Sequence, residues 1–299
     1  MSWTGEPDFA DVRVPDLTQA TVAIVGLGLM GGSLAGALRG ACRAVVGVAR
    51  REASIAFALD HGWIDRGTTD LAQGVSEADI VVLATPVRVI LQQIPVIAPL
   101  LPEGCLLMDM GSTKDEVVAA MECLPAHIQV LGGHPMCGKE TSGIEVADPA
   151  LYHDRTFILS PLSRTSERAL ALGRSLALAV GANPLVIEAA RQDHLVAAVS
   201  HLPYLLACAL VRTVDTKTSA DPLAWEIFAG GFRDTSRVAG SDVTMMLDIL
   251  MTNQEQVVAA TEECLEHLQT LKTLVSQGDE EALRTRLSAI RARRREMFP

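Results

Sequence analysis

Residues 21–33 read TVAIVGLGLMGGS, and this stretch decides the fold. A β-branched apolar run leads straight into Gly26-Leu27-Gly28-Leu29-Met30-Gly31, after which SLAGALRG has helical spacing. Strand, glycine turn and helix in that order are the context a GxGxxG pattern needs to bind a dinucleotide. Gly26 permits the tight turn, Gly28 lets a pyrophosphate approach the main chain, and Gly31 allows close packing of helix on strand. Leu29 and Met30 fall where the first N–H groups of the helix, and its positive dipole end, face an anion. The same glycines also suit a turn that binds nothing; the flanking strand and helix favour the nucleotide.

Outward from this turn, short β-branched runs alternate with helical stretches as far as about residue 188. TVAIVG, AVVGVA, DIVVLAT, CLLMDMG and HIQVLGG read as strands, and EASIAFALDHG and VRVILQQIPVIAPLL as helices. That alternation predicts an α/β Rossmann-type domain, a doubly wound parallel sheet with helices on both faces. After Ala189 strand signals nearly vanish. DHLVAAVSHLPYLLACALVRTV and TNQEQVVAATEECLEHLQTLKTLVSQG carry apolar stripes at helical spacing and predict an all-helical C-terminal domain. The expected division is an N-terminal arm at 1–18, a dinucleotide-binding domain at 19–188, and a helical substrate and dimerisation domain at 189–299. So much apolar helix exceeds what one small bundle can cover, which points to a symmetric homodimer through that domain.

The second strand ends Val48-Ala49-Arg50-Arg51, where an NAD site places an acid for the ribose hydroxyls. Arg50 and Arg51 instead offer charge-assisted donors to a 2′-phosphate, so the reading is NADP, with NAD as the alternative. A solvated strand end would account for the same two arginines. Thr85 and Pro86 close the fourth strand and belong at the C-terminal sheet edge, beside the nicotinamide ribose.

Composition narrows the class further. With 299 residues, 49% of them hydrophobic, the chain can bury a ligand between two domains, and a net charge of −11 argues against nucleic acid as partner. The six cysteines form no CxxC pair, and reduced, buried thiols of a cytoplasmic protein fit them. The first 17 residues, acidic and proline-bearing, lack the pattern of a signal peptide. The most apolar segment, 195–211, is shorter than a membrane span and is interrupted by His201 and Pro203, so no membrane passage is expected. Asp193, His194 and His201 lack metal-ligand spacing, and no metal is expected.

Two further strands run into loops at the ligand edge of such a sheet: Asp109-Met110-Gly111-Ser112-Thr113-Lys114, and Gly132-Gly133-His134-Pro135-Met136-Cys137-Gly138-Lys139-Glu140. A histidine flanked by glycine and proline in an irregular loop suits catalysis, and a structural histidine would fit the same position.

Taken together and in order, GLGLMGGS, the GST-K loop, GGHPMCGKE, DHLVAAVSHLP and GGFRDTSRVAGSD resemble the TyrA family of prephenate and arogenate dehydrogenases, across almost the whole chain. The closest resemblance is to short monofunctional NADP-dependent arogenate-type members. The resemblance implies oxidative decarboxylation of a cyclohexadienol, prephenate or arogenate, with hydride passing to the nicotinamide and an aromatic product formed on the way to tyrosine. It implies that His134 takes the ring-hydroxyl proton, that Ser112 orients that hydroxyl, and that Arg237 grips the ring carboxylate. It also places His201, Glu140, Tyr204 and Asp234 at the substrate. Histidine's ordinary pKa of about 6.5 then predicts activity falling as pH drops through that region. The chain departs from the family at Tyr204, where many members carry a second histidine, at Met246, where an aromatic is usual, and at Gln192-Asp193, usually His-Asp.

Two rival classes fit parts of the sequence. A β-hydroxyacid-type dehydrogenase shares the architecture but relies on a lysine from the interdomain helix, and none lies near Asp193. A non-catalytic nucleotide sensor would keep the glycines, yet has no use for GGHPMCG or a carboxylate-gripping Arg237; nucleotide binding without turnover would identify it.

Overall fold

The computed structural model describes residues 16–139, 141–219, 221 and 223–297. Eight strands form one sheet: β1 (Thr21–Val25), β2 (Ala44–Val48), β3 (Arg66–Thr68), β4 (Ile80–Leu83), β5 (Leu106–Asp109), β6 (Gln129–Pro135), β7 (Thr156–Ser160) and β8 (Asn183–Val186). Their order is β3-β2-β1-β4-β5-β6-β7-β8. The first six are parallel, in the doubly wound order of dinucleotide-binding proteins. The sheet is not parallel throughout, because β7 runs antiparallel to β6 before β8 pairs parallel with β7. β3, β7 and β8 are additions to the five strands expected from the sequence.

Both faces of the sheet are covered, which is why its strands read as continuous apolar runs. In β1 the side chains alternate: Val22 and Ile24 pack on one face with Leu34, Leu38 and Met108, while Ala23 and Val25 pack on the other with Val81, Ile94 and Leu107. The covering helices are α1 (Leu29–Ala37), α2 (Glu52–Asp60), α3 (Leu71–Val75), α4 (Val87–Ile97), α5 (Asp115–Glu122) and α6 (Glu167–Ala179).

The helical part comprises α7 (Ala189–Val196), α8 (Leu202–Thr218), α9 (Ala224–Ile227), α10 (Gly230–Ser236), α11 (Val243–Thr252), α12 (Gln254–Gln277) and α13 (Glu280–Met297). A π-helical turn at Ala197–His201 joins α7 to α8, so helix continues from Ala189 to Thr218. The expectation of an apolar segment too short for a membrane therefore needs correction, since this 30-residue helix is long and apolar enough to cross one. Pro203 does not break it, because it directly follows the π turn, where the regular hydrogen-bond ladder is already interrupted. Asp193 and His201, buried and hydrogen-bonded within this same helix, serve the site described below.

The chain divides into two compact units, residues 1–253 and 254–299. α7 to α11 thus cohere with the sheet, through hydrogen bonds that tie α7 and the end of α11 to the β5–α5 loop. The second unit is a helical hairpin of α12 and α13. Most of the expected arm lies outside the described residues, but Asp16 caps a 3-10 turn at Leu17–Gln19 and Leu17 is buried. No disulfide links the six cysteines. Only Cys105 is buried; Cys123 is exposed and the others are half-buried, so the expectation of buried thiols holds at one position.

Candidate active site

The glycine turn leaves β1 at Gly26, whose φ of 106° is a conformation that disfavours any side chain. A Cβ there would also stand 2.8 Å from Thr85 Cγ2 and 2.9 Å from the Ala84 carbonyl. At Gly31 the constraint is tighter, since a Cβ would lie 1.8 Å from the Gly26 carbonyl oxygen. Gly28, by contrast, faces open space. Two glycines therefore let α1 and the neighbouring strand close in, and the third leaves the main chain accessible to a bulky anion. Leu29 and Met30 open α1 without a side-chain cap, leaving its first N–H groups available. Met30 is fixed from behind by Tyr152, whose hydroxyl donates to its carbonyl at 2.6 Å. This cradle fits the pyrophosphate of a nicotinamide dinucleotide.

Thr85 follows β4 and donates its hydroxyl to Gln93 at 2.7 Å, and Pro86 leads into α4. Arg50 and Arg51 stand exposed beyond β2, on the same edge, and neither has an acidic partner among the described residues.

Beside this cradle, the loops after β5 and β6 bury a polar cluster. Lys114 is fully buried and forms an ion pair with the equally buried Asp109, which also accepts from the N–H groups of Gly111 at 2.7 Å and Gly133 at 3.1 Å. The Lys114 ammonium donates in addition to the Thr113 carbonyl at 2.9 Å. Burial pushes the Asp109 carboxyl up, against the pull of Lys114 and the two N–H donors. The Asp109 carboxylate, held by Lys114, thus pins the end of β5 to the strand that carries His134.

From the other side, α7 holds the same loop. The Asp193 carboxylate accepts from the main-chain N–H of Lys114 (2.8 and 3.0 Å) and of Asp115 (2.8 Å), capping α5 from another element. Gln192 donates to the Ser112 carbonyl at 3.3 Å and to Asp193 at 3.2 Å. Asn253, just past α11, donates to the Asp193 carbonyl at 2.8 Å and lies 3.3 Å from His201 Nδ1. The hydroxyls of Thr113 and Thr252 meet at 2.7 Å.

His134, in β6, is set into this cluster. Burial, the Lys114 ammonium and His201 together push its pKa down to about 3, while Gln192 pulls weakly the other way. His201 closes the π turn and is pushed down to about 4 by burial. Both rings are neutral at neutral pH. The expected loss of activity near pH 6.5 therefore needs correction: an unperturbed histidine was assumed, and His134 is neither exposed nor remote from positive charge.

The remaining sequence candidates lie at different depths. Ser112 is half-buried, with its carbonyl held by Gln192, and Tyr204 is half-buried on α8. Asp234 is exposed and pairs with Arg233 at 3.6 Å. Arg237 is exposed at the start of a 3-10 turn. Glu140 lies outside the described residues. No cluster of three or more His, Cys, Asp or Glu able to hold a metal occurs among the described residues. Sequence reasoning gave no role to Lys114, Asp109, Gln192 or Asn253. The only signal was the Gln192-Asp193 pair within the polar run Arg191-Gln192-Asp193-His194, ahead of the apolar stretch that follows.

Residues 34–186 match the nucleotide-binding domain of prephenate dehydrogenase, and residues 188–289 match its dimerization domain. The chain belongs to the prephenate dehydrogenase family. It is 32% identical to the prephenate dehydrogenase of Bacillus subtilis over 88% of this chain and 72% of that one. A crystal structure of prephenate dehydrogenase from A. aeolicus, in complex with hydroxyphenyl propionate and NAD+, superposes with a TM-score of 0.87 at 33% identity, over 95% of this chain and all of that one. Synechocystis arogenate dehydrogenase gives 0.81 at 30% identity, over 93% and 99%. In this chain the glycine turn after β1 and His134 near the end of β6 both lie at the C-terminal ends of parallel strands of one sheet.

Proposed function

We propose that this family member oxidatively decarboxylates prephenate or arogenate in tyrosine biosynthesis, using NADP in preference to NAD. One observation carries the reading: a buried, neutral His134 at the C-terminal edge of the sheet, next to a glycine cradle for the nucleotide. When bound, the nicotinamide accepts the hydride from the ring carbon that bears the hydroxyl. His134 accepts the proton of that hydroxyl, and Ser112 orients it. The imidazole is a weak base in the free protein, but an incoming substrate, which carries a ring carboxylate in either case, brings negative charge near it and strengthens it. Arg237 grips the ring carboxylate with its planar fork, and Asp234, His201, Tyr204 and Glu140 complete the substrate pocket. The cation of Lys114 is committed to Asp109 and takes no proton.

The test is initial-rate reduction of NADP and NAD with prephenate and arogenate in parallel. Turnover of neither substrate would overturn the reading and leave a nucleotide sensor.

The NADP preference rests on Arg50 and Arg51, which stand exposed where an NAD site needs an acid. Replacing both with alanine should raise KM for NADP at least about tenfold while leaving NAD unchanged, because each charge-assisted hydrogen bond contributes about 1.5–3 kcal/mol. Equal loss with both cofactors would sink the assignment.

The protein is further proposed to act as a cytoplasmic homodimer, with residues 189–299 as the helical substrate and dimerisation domain. Support comes from exposed apolar residues on the helical elements, among them Val199, Ile227 and Val243, exposed at 68%, 79% and 70%. Sedimentation at micromolar concentration should give twice the chain mass; a monomer would refute the dimer.

A further inference from the structure

Two buried polar atoms in the active site have no hydrogen-bond partner, His134 Nδ1 and Gln192 Oε1. Leaving such groups unpaired costs on the order of 1–3 kcal/mol each, so a neighbouring orphan donor and acceptor have strong reason to satisfy one another. Gln192 is fully buried, and the orientation of its amide is fixed by the rest of the cluster. Its NH2 group donates to the Ser112 carbonyl and the Asp193 carboxylate, neither of which can donate in return. The carbonyl end is therefore an acceptor only and is left without a partner, and Gln192 is the hydrogen-bonding side chain next to the His134 ring.

We propose that Gln192 is a positioning residue for the reaction described above: its Oε1 accepts from His134 Nδ1–H and so fixes the neutral ring as the Nδ1–H tautomer. Nε2 then carries the lone pair and is the atom that receives the substrate proton. The arrangement has the form of a base oriented by a third group, with an amide in the place a carboxylate often takes. The choice of an amide has a chemical consequence. The other charged or titratable groups facing the ring are Lys114, from the β5–α5 loop, and His201, from the π turn. A carboxylate would favour the imidazolium, whereas an amide orients the ring and leaves it uncharged. The same amide holds the Ser112 carbonyl, so one side chain sets both the base and the residue that orients the hydroxyl.

The inference rests on the proposed reaction for its meaning but not for its test. Histidine-selective 15N labelling of the full chain, with two-bond 1H–15N spectra at pH 7.5, reports the tautomer without substrate; the His134 signals are assigned by their loss in H134N. The wild type should show Nδ1 as the protonated nitrogen, and Q192L should show Nε2–H or a mixture. In parallel, kcat of Q192L should fall about 10²-fold, with KM for NADP unchanged. Q192E, which keeps an acceptor, should retain the Nδ1–H tautomer and move the acid limb of the kcat/KM profile to higher pH. A wild-type ring protonated at Nε2, or the same tautomer in wild type and Q192L, would overturn the proposal. Should Q192L not fold, the wild-type spectrum alone decides. Absence of turnover with a clear Nδ1–H signal would remove the reaction and leave the tautomer assignment standing.

Discussion

Replacing His134 with asparagine is expected to lower kcat by about 10²–10⁴-fold, the range contributed by a positioned general base and equivalent to about 3–5 kcal/mol of barrier. KM should change little, because the proton transfer belongs to the transition state and the carboxylate grip is assigned elsewhere. Nucleotide affinity, measured by fluorescence titration, should be unchanged. A variant that keeps a tenth of the wild-type kcat would show that His134 is not the base. In the wild type the acid limb of kcat/KM, which reports the free enzyme, should lie well below pH 6.5, since burial and Lys114 hold the ring near a pKa of about 3.

The same depressed pKa makes a stability statement whose sign is fixed. Below about pH 6.5 the unfolded chain protonates its histidines, while a folded ring with a pKa of about 3 stays neutral, so the unfolded state binds more protons and stability falls with pH. At pH 5 this costs about 2 kcal/mol per buried histidine, wherever the folded value lies below 5. His134 and His201 both qualify. Urea unfolding at pH 7.5 and pH 5, at one protein concentration, should therefore show H134N losing about 2 kcal/mol less than the wild type. Equal losses would mean that the ring is solvated in the folded state.

Much of this was legible in the chain because it is local. The β1 run and Gly26, Gly28 and Gly31 are adjacent in sequence, and sterics alone assign each glycine its place. The loops after β5 and β6 were legible as unusual chemistry at strand ends. What stayed hidden depends on burial and on long-range meetings. β7 follows a long loop, and β8, just after α6, contains Pro184, which reads against a strand. Lys114 looks like an ordinary loop lysine until Asp109, Gly132 and the strands around them enclose it. Asp193 reaches a main-chain N–H 79 residues away, and Asn253 reaches its partner across 60, separations that no periodicity reveals. The depressed pKa of His134 has the same origin: a histidine among glycines reads as exposed until three elements pack over it.

The largest stability effect is expected at Lys114. Changing it to methionine keeps the length of the side chain and removes the cation, leaving Asp109 fully buried with only the N–H groups of Gly111 and Gly133. Breaking a buried ion pair by deleting one partner costs about 3–5 kcal/mol, because the surviving charge keeps its desolvation penalty and loses its compensation. The Asp109 carboxyl, already pushed upward by burial, would respond by taking a proton, and a neutral carboxyl is a poorer acceptor for the two N–H groups that hold the β5 loop to β6. D109N should be comparably costly, since it strands a buried ammonium. Two neutral groups in place of two charges remove the mismatch, so D109N/K114M should be more stable than either single variant, with a coupling of at least about 1 kcal/mol in a double-mutant cycle. Urea unfolding of the four proteins at one concentration measures this directly. Additive losses in the cycle, or single losses below about 1 kcal/mol, would mean that the pair is hydrated and that the site is organised by Asp193 and Gln192 alone.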